Sequence, residues 1–228
     1  FAWGNVEEQN QNLRKESQEI VVDTTAFASV LRLSLWDTLK ESEFRLITTE
    51  AARQELVTFE EAHLRSEESL ATTQDSSGED QLLFLSQDSV NALKDQTGNF
   101  LRDWDGIIDV VGGEALARLS PQPSREKEEM LGRPTLAALA LAIEQERILW
   151  IDDRVAAMVI AENWPQARIT NSQAVLDHLR KEGVLDSEQY YDRLFTMLLC
   201  GYTHVVLDEQ GFRYVISATN GDLNDLRL

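Results

Sequence analysis

The sequence predicts an α/β fold in which a mainly parallel sheet lies between two layers of helices. Three observations support this prediction. Short β-branched or apolar runs alternate along the chain with amphipathic or Ala/Leu-rich segments. Two of those runs end directly in aspartate, as buried parallel strands do when their carboxyl ends face a crevice. Hydrophobic residues form 43% of the 228 residues, enough to bury the core of one elaborated domain.

The predicted domain starts at residue 19, after a polar segment at 1–18 that is typical of a linker or a frayed helix. The β-branched run at 20–22 predicts a buried strand, and Thr24 and Thr25 are suited to cap the helix after it. Apolar spacing predicts the other elements of this first part, which extends to residue 65. They are helices at 26–33, 35–43 and 50–64, the last capped by Thr49, and a strand at 44–48.

Composition changes at Ser66, and residues 66–130 are predicted to be an insertion into the main domain. Its predicted parts are an exposed polar loop at 66–80, a short strand at 81–86, helical pieces at 88–119 and a linker or lid at 121–129. Four of its apolar residues are not needed by the parent fold: Phe100, Trp104, Ile107 and Ile108. We expect them either to dock a partner or to pack the insertion onto its own domain.

The main domain resumes at residue 131 and extends to residue 228. Thr135 is suited to cap an Ala/Leu-rich helix at 136–146, and the run at 147–151 predicts a buried strand. The next predicted elements are a helix at 154–162, a strand at 167–170 and helices at 172–181 and 187–200. A last strand at 204–207 is expected to pair with 212–216 through the turn at 209–211.

The chain is strongly acidic, with 21 lysines and arginines, 40 aspartates and glutamates and a formal net charge of −19. This balance excludes the simplest nucleic-acid-binding protein, in which a basic face holds phosphates unaided. The single cysteine, Cys200, follows apolar neighbours and is expected to be buried. Because no Cys/His cluster occurs, a structural zinc site is excluded.

No apolar run approaches the roughly 18 residues that a membrane span needs. The first residues, Phe1-Ala2-Trp3-Gly4, are neither an initiator methionine nor a signal peptide. We therefore expect a piece of a longer cytoplasmic protein that has no contact with a membrane. Other domains, a second subunit or another copy of the chain are its expected partners.

Acidic side chains stand at two predicted strand ends: Asp23 after the first strand, and Asp152 with Asp153 after the strand at 147–151. Carboxylates that converge at such an edge repel one another unless a cation intervenes. Oxygen ligands without cysteine or a nearby histidine select Mg²⁺ or Mn²⁺, which activates water and neutralises phosphate charge. The structural alternative is that such acids cap the following helices, which explains Asp153 but not both Asp23 and Asp152.

The segment Ile20-Val21-Val22-Asp23-Thr24-Thr25 resembles the opening of a PIN-like nuclease domain, with a strand, a first aspartate and a small hydroxyl residue before a helix. The second acid of that family matches Glu55, with Glu50 as the competing choice. Its third acid matches Asp152 in Trp150-Ile151-Asp152-Asp153-Arg154. The fourth position falls on Asn171, where the family commonly has aspartate, and Asp153 is the expected substitute.

The resemblance implies a Mg²⁺- or Mn²⁺-dependent nuclease, with RNA as the expected substrate and a toxin or defence system as one setting. Asp23, Asp152 and Asp153 would hold the metal, and Glu55 would ligate it or orient the attacking water. Arg154 and Asn171 are the expected substrate contacts, while Arg133 and Arg168 also flank the site. The departure at position 171 and the acidic charge favour a second hypothesis, a catalytically weakened regulatory or assembly module.

Haloacid-dehalogenase-like phosphatases are a third, less favoured family. They too have strand-end acids at the positions of Asp23 and Asp152–Asp153. Their first motif, however, needs a general acid two residues after the first aspartate, where this chain has Thr25. A phosphotransfer through Asp23 would therefore lack its proton donor.

Overall fold

The structure, a computed structural model, describes residues 13, 19–65, 70–74, 80–84, 98, 108–202 and 205–219. Apart from Leu13, which is buried, the N-terminal segment at 1–18 lies outside these residues. Three of the four predicted docking residues, Phe100, Trp104 and Ile107, also lie outside them, so docking stays a prediction.

Seven strands lie within the described residues. In chain order they are β1 (Glu19–Val22), β2 (Arg45–Thr49), β3 (Leu70–Gln74), β4 (Asp80–Phe84), β5 (Ile108–Val111), β6 (Ile148–Trp150) and β7 (Arg168–Thr170). Five of them form one sheet in the order β5-β2-β1-β6-β7, and every neighbouring pair in it is parallel. The predicted mainly parallel sheet is confirmed.

Helices cover both faces of this sheet. They are α1 (Thr24–Arg32), α2 (Trp36–Glu41), α3 (Glu50–Arg65), α4 (Arg125–Glu144), α5 (Arg154–Asn163), α6 (Ser172–Lys181), α7 (Ser187–Leu199) and α8 (Glu209–Ala218). Because successive strand residues point to opposite faces, Ile20 and Val22 pack with α1, α6 and α7, whereas Val21 packs with α4 and α5. The predicted three-layer α/β/α arrangement is therefore confirmed.

Helix α4 starts earlier than the sequence predicts. Its first turn begins at Arg125, in the stretch expected to be a linker or lid, and Ser124 accepts a hydrogen bond from the Lys127 N–H at 3.4 Å. Good helix formers explain this start, while Gly132, with φ +72°, interrupts the helix near the predicted boundary.

No helix in the described part of the chain is long and apolar enough to cross a membrane.

The stretch at 66–130 contributes a strand to the main sheet. Helical pieces were expected at 88–119, but 108–111 form β5, which pairs with β2 along the sheet edge. Ile108 is buried there, so this member of the predicted docking set packs in the core. β3 lies in the predicted polar loop and pairs antiparallel with β4, which confirms the short strand near 81–86. Short edge strands bounded by glycine leave little periodicity to recognise.

The predicted C-terminal hairpin is wrong, because residues 209–218 form α8. Asp208 caps this helix, since its carboxylate accepts the Gly211 N–H at 2.7 Å. Gly211 and Val215 are buried four residues apart, a helical spacing that the strand prediction overlooked. The burial expected for Cys200 is also wrong: this residue is the exposed C-cap of α7.

The strand order fixes where a ligand can enter. β1 lies at the centre, the chain builds β2 and β5 on one side of it, and β6 and β7 lie on the other. The order thus reverses between β1 and β6, whose connections leave in opposite directions. In open parallel sheets this reversal opens a crevice beyond the carboxyl ends of the two strands.

Candidate functional site

Asp23 follows β1 and lies fully buried at the reversal point. Its Oδ1 accepts hydrogen bonds from the Ala26 N–H at 3.0 Å and the Thr25 hydroxyl at 2.7 Å. Its Oδ2 accepts from the Thr135 hydroxyl at 3.2 Å, while its own N–H donates to the Trp150 carbonyl. Asp23 is therefore the N-cap of α1, in place of the predicted Thr24 and Thr25.

Burial controls the acidity of Asp23. Desolvation is the largest influence and raises the pKa of this carboxyl from 3.8 to about 7. The hydrogen bonds from Ala26, Thr25 and Thr135 lower the pKa, and the Asp152 carboxylate raises it. β1 and β6 are paired, and the Thr25 hydroxyl bonds both the Asp23 carboxylate and the Asp152 N–H, so the structure brings the two aspartates together as the sequence predicts.

Asp152 follows β6, the neighbour of β1, and only 9% of it is exposed. Its Oδ1 accepts the Ser172 N–H at 2.7 Å, and its Oδ2 accepts the Ser172 hydroxyl at 2.5 Å. The same hydroxyl accepts a hydrogen bond from Nε1 of Trp150 at 3.2 Å. Asp152 therefore does not cap the helix that follows it but meets the first residue of α6.

Thr25 joins the two strand ends. Its hydroxyl donates to Asp23 and accepts the N–H groups of Asp152 at 3.0 Å and Asp153 at 3.3 Å. One side chain on α1 thus fixes the loop after β6 against the carboxylate after β1. The sequence offers no signal for this bridge beyond a threonine two residues after the aspartate.

The other predicted site residues lie around this pair in different roles. Asp153 is exposed and caps α5 by accepting the Ala156 N–H at 2.9 Å. Asn171 is buried and caps α6 by accepting the Ala174 N–H at 2.9 Å. Arg154 is the exposed first residue of α5. The cap explanation therefore holds for Asp23, Asp153 and Asn171, and among the strand-end acids Asp152 is the one that does not cap the helix after it.

Both glutamate candidates lie on α3 and are exposed. Glu50 is the first residue of that helix, and its Oε1 lies 3.7 Å from a guanidinium nitrogen of Arg53. Glu55 lies further along the helix. In the described part of the chain, no hydrogen bond joins either glutamate to Asp23 or Asp152. Nor does any group of three or more His, Cys, Asp or Glu side chains among the described residues stand ready to hold a metal ion.

Four helices of the described residues begin at this edge of the sheet, one of them α3 after β2. The N-termini of α1, α5 and α6 follow β1, β6 and β7, which are adjacent in the sheet. Helix N-termini carry partial positive charge and unpaired N–H groups, so they favour anions. Here the side chains of Asp23, Asp153 and Asn171 cap α1, α5 and α6. This edge of the sheet therefore carries two buried acids together with helix N-termini, whose partial positive charge stabilises negative charge nearby.

Three residues of the site were not predicted as such. Thr135, expected to cap a helix, donates to Asp23 from within α4. Ser172 and Trp150 were assigned to a helix start and to packing, yet they contact Asp152 directly or through one hydroxyl. Ser172 directly follows Asn171 at a strand end, a position that the sequence could have marked.

Fold and site together define an α/β protein with a pair of buried carboxylates at the switch point of a parallel sheet. Comparisons with protein-family models, with curated proteins and with solved structures find no match to this chain. The function is therefore argued from the geometry of the Asp23–Asp152 pair.

Proposed function

We propose that the chain is a metal-dependent nuclease of the PIN-like type, an endoribonuclease that acts as one domain of a larger protein or complex. The observation that carries the proposal is the position of Asp23 and Asp152. They follow adjacent parallel strands at the point where the strand order reverses. Buried carboxylates at such a point repel each other, and a divalent cation removes that repulsion.

The donor set fits Mg²⁺ or Mn²⁺. Carboxylate oxygens are hard ligands, and Mg²⁺ is commonly held by one or two carboxylates with water at its other positions. Asp23 and Asp152 would hold the ion, and the exposed Asp153 would support the remaining ligand positions. When bound, such an ion neutralises phosphate charge and lowers the pKa of a water.

The remaining residues take supporting roles in this proposal. Glu55 orients the attacking water, with Glu50 as the alternative on the same helix. Arg154, exposed at the start of α5, contacts a phosphate of the substrate. Asn171 uses its side-chain oxygen to cap α6, so any contact with a phosphate would come from its amide N–H groups.

The acidic charge determines the kind of partner that the proposal needs. A body of net charge −19 repels RNA, although salt screens this repulsion beyond a Debye length of about 8 Å. We therefore propose that another domain, a partner or a second copy supplies the basic surface, in the cytoplasm. The isolated chain should bind single-stranded RNA weakly at physiological salt in a filter-binding assay, and tight binding would contradict this part.

Cleavage of a labelled single-stranded RNA tests the proposal. With Mn²⁺ the wild type should cleave, EDTA should stop cleavage, and Asp23→Asn and Asp152→Asn should each remove it. The matched control is Asp186→Asn, because Asp186 is the cap of α7 and asparagine preserves the cap while making the same change of charge. Equal residual cleavage in all three variants would reveal a contaminant and overturn the assignment.

A second candidate function is a regulatory or assembly module without catalysis. The observation that favours it is that no third acid joins Asp23 and Asp152 among the described residues. All four carboxylate oxygens also accept hydrogen bonds from the chain itself. Calorimetry separates the two: a module of this kind binds no Mn²⁺, whereas the nuclease binds it through both aspartates.

The phosphatase alternative gains no support from the site. A haloacid-dehalogenase-like enzyme would need an acid at position 25. Thr25 instead donates its hydroxyl hydrogen to Asp23 and accepts two backbone N–H groups. It therefore has no proton to give to a leaving group.

A further inference from the structure

A short relay of hydrogen bonds lies behind Asp152. Nε1 of Trp150 donates to the Ser172 hydroxyl at 3.2 Å, and that hydroxyl donates to Oδ2 of Asp152 at 2.5 Å. The Ser172 N–H donates to the other carboxylate oxygen at 2.7 Å. Both oxygens of Asp152 are therefore held by one residue, which is itself held by the indole.

The direction of this relay is fixed by chemistry. An indole Nε1–H can only donate, so the Ser172 oxygen must accept from Trp150. The one hydrogen of the Ser172 hydroxyl is then directed at Asp152. Removing the indole N–H would leave the Ser172 hydroxyl held by Asp152 alone, and the orientation of the carboxylate would be less tightly fixed.

Rigid elements carry both relay residues. Trp150 ends β6, is fully buried and pairs in register with Thr170 of β7. Ser172 is the fully buried first residue of α6. The buried indole N–H needs an acceptor, and the Ser172 oxygen supplies it, so this hydrogen bond satisfies the indole and also fixes the hydroxyl that donates to Asp152.

We propose that Trp150 and Ser172 are positioning residues that fix the orientation in which the Asp152 carboxylate meets a divalent cation. This inference rests on the proposed function, since it assigns a task only if Asp152 binds a metal. Groups that hydrogen-bond to metal ligands orient them, and replacing such groups commonly lowers metal affinity about 10- to 100-fold.

The indole N–H itself provides the test. In a uniformly ¹⁵N-labelled chain, Mg²⁺ titration should shift the Nε1–H resonance of Trp150, identified by its loss in Trp150→Phe. The internal control is Trp164, whose Nε1–H donates to the Pro121 carbonyl at 2.9 Å and not to a site residue. Its resonance should stay in place, and the Trp150 shift should vanish in Ser172→Ala.

Calorimetry with Mg²⁺ on the same proteins measures the effect of the relay. Ser172→Ala should lower affinity about 10-fold or more, and Trp150→Phe, one bond further away, by roughly 3-fold. Ser172→Thr preserves the hydroxyl and should recover most of the affinity. If Ser172 were merely structural, Ser172→Ala and Ser172→Thr would both change the stability, but they would not differ in their affinity for Mg²⁺.

The two proposals fail in different ways. If Mg²⁺ binds the wild type and shifts the backbone amides of Asp23 and Thr25 while Trp150 does not respond, the relay proposal is overturned and the nuclease stands. If Mg²⁺ neither binds nor shifts any resonance of the wild type, the proposed function falls, and the relay proposal with it. Where Trp150→Phe does not fold, the Trp150 resonance is assigned from through-space contacts in the wild-type protein, and the wild-type spectrum then separates these outcomes.

Discussion

The groups around the Asp23 carboxylate form the Asp23 pocket, and those around the Asp152 carboxylate form the Asp152 pocket. The two pockets lie at equivalent places, beyond the ends of neighbouring strands, but they differ in burial and in the hydrogen-bond donors that they offer. The Asp23 pocket is closed, and it offers one backbone N–H and two threonine hydroxyls. The Asp152 pocket is slightly open and offers two donors from one residue at the start of α6. Burial raises the pKa of Asp23 to about 7 in spite of its three donors. Enclosure therefore outweighs hydrogen bonding at Asp23, and the charged form of this carboxyl is costly to the folded protein.

The largest expected effect is the pH dependence of wild-type stability without metal. The pKa of Asp23 is about 7 when folded and 3.8 as its reference value, so the folded state holds one more proton between these values. Stability should then fall as pH rises from about 4 to 7, by up to about 4 kcal/mol for this group. Urea unfolding in EDTA at several pH values measures the slope. A profile in Asp23→Asn that falls equally would refute the assignment.

Asparagine at the two positions should act with opposite signs at pH 8. Asp23→Asn removes a buried charge and preserves a capping oxygen, so we expect stabilisation of about 2 kcal/mol. Asp152→Asn leaves one of the two Ser172 donors without an acceptor and should destabilise by about 1–2 kcal/mol. Urea unfolding compares both with wild type and with Asp186→Asn. Two changes of the same sign would show that the pockets are equivalent after all.

The sequence predicts the central sheet well because its strands are short apolar runs with helices between them. It also predicts both aspartates, since the apolar runs of β1 and β6 lead directly into them. The edge strand β5 was missed because 108–111 contain an acid and exposed positions, so no continuous apolar run marks it. The sequence pattern does not predict helix α8, because Glu209-Gln210-Gly211 indicates a turn, whereas Asp208 caps a helix that begins at Glu209.

The surroundings of the aspartates could not be predicted, since they depend on contacts between distant parts of the chain. Thr135 meets Asp23 across 112 positions, and Thr25 meets the Asp152 N–H across 127. Local patterns assign such threonines to helix caps, where their hydroxyl groups satisfy the backbone. Whether a threonine hydroxyl caps its own helix or bonds a group in a distant part of the chain is decided by tertiary packing.

Thr25 is common to both pockets and tests whether they are coupled. Thr25→Val removes the acceptor of two N–H groups and a donor to Asp23, so it should destabilise by about 1.5 kcal/mol at pH 8. At pH 5, where the Asp23 carboxyl is protonated, the loss should be smaller but should persist, because the two N–H groups still lack their acceptor. Thr25→Ser preserves the hydroxyl and should cost less than about 0.5 kcal/mol. Urea unfolding at both pH values measures this. A loss equal in both variants would mean that the methyl group, not the bridge, matters.

Of the two pockets, the Thr135 hydroxyl bonds to Asp23 in the described part of the chain, and its removal should have the smallest effect. Its hydroxyl lowers the pKa of Asp23, so Thr135→Val should raise that pKa further and destabilise by about 0.5–1 kcal/mol at pH 8. At pH 5 the Asp23 carboxyl is protonated in the folded state, and most of the loss should disappear. The matched control is Thr48→Val, because the Thr48 hydroxyl donates to the Val22 carbonyl at 2.9 Å and bonds no titrating group. Urea unfolding should give Thr48→Val the same loss at both pH values. A Thr135→Val loss that is equally independent of pH would show that this threonine packs α4 rather than serving the Asp23 charge.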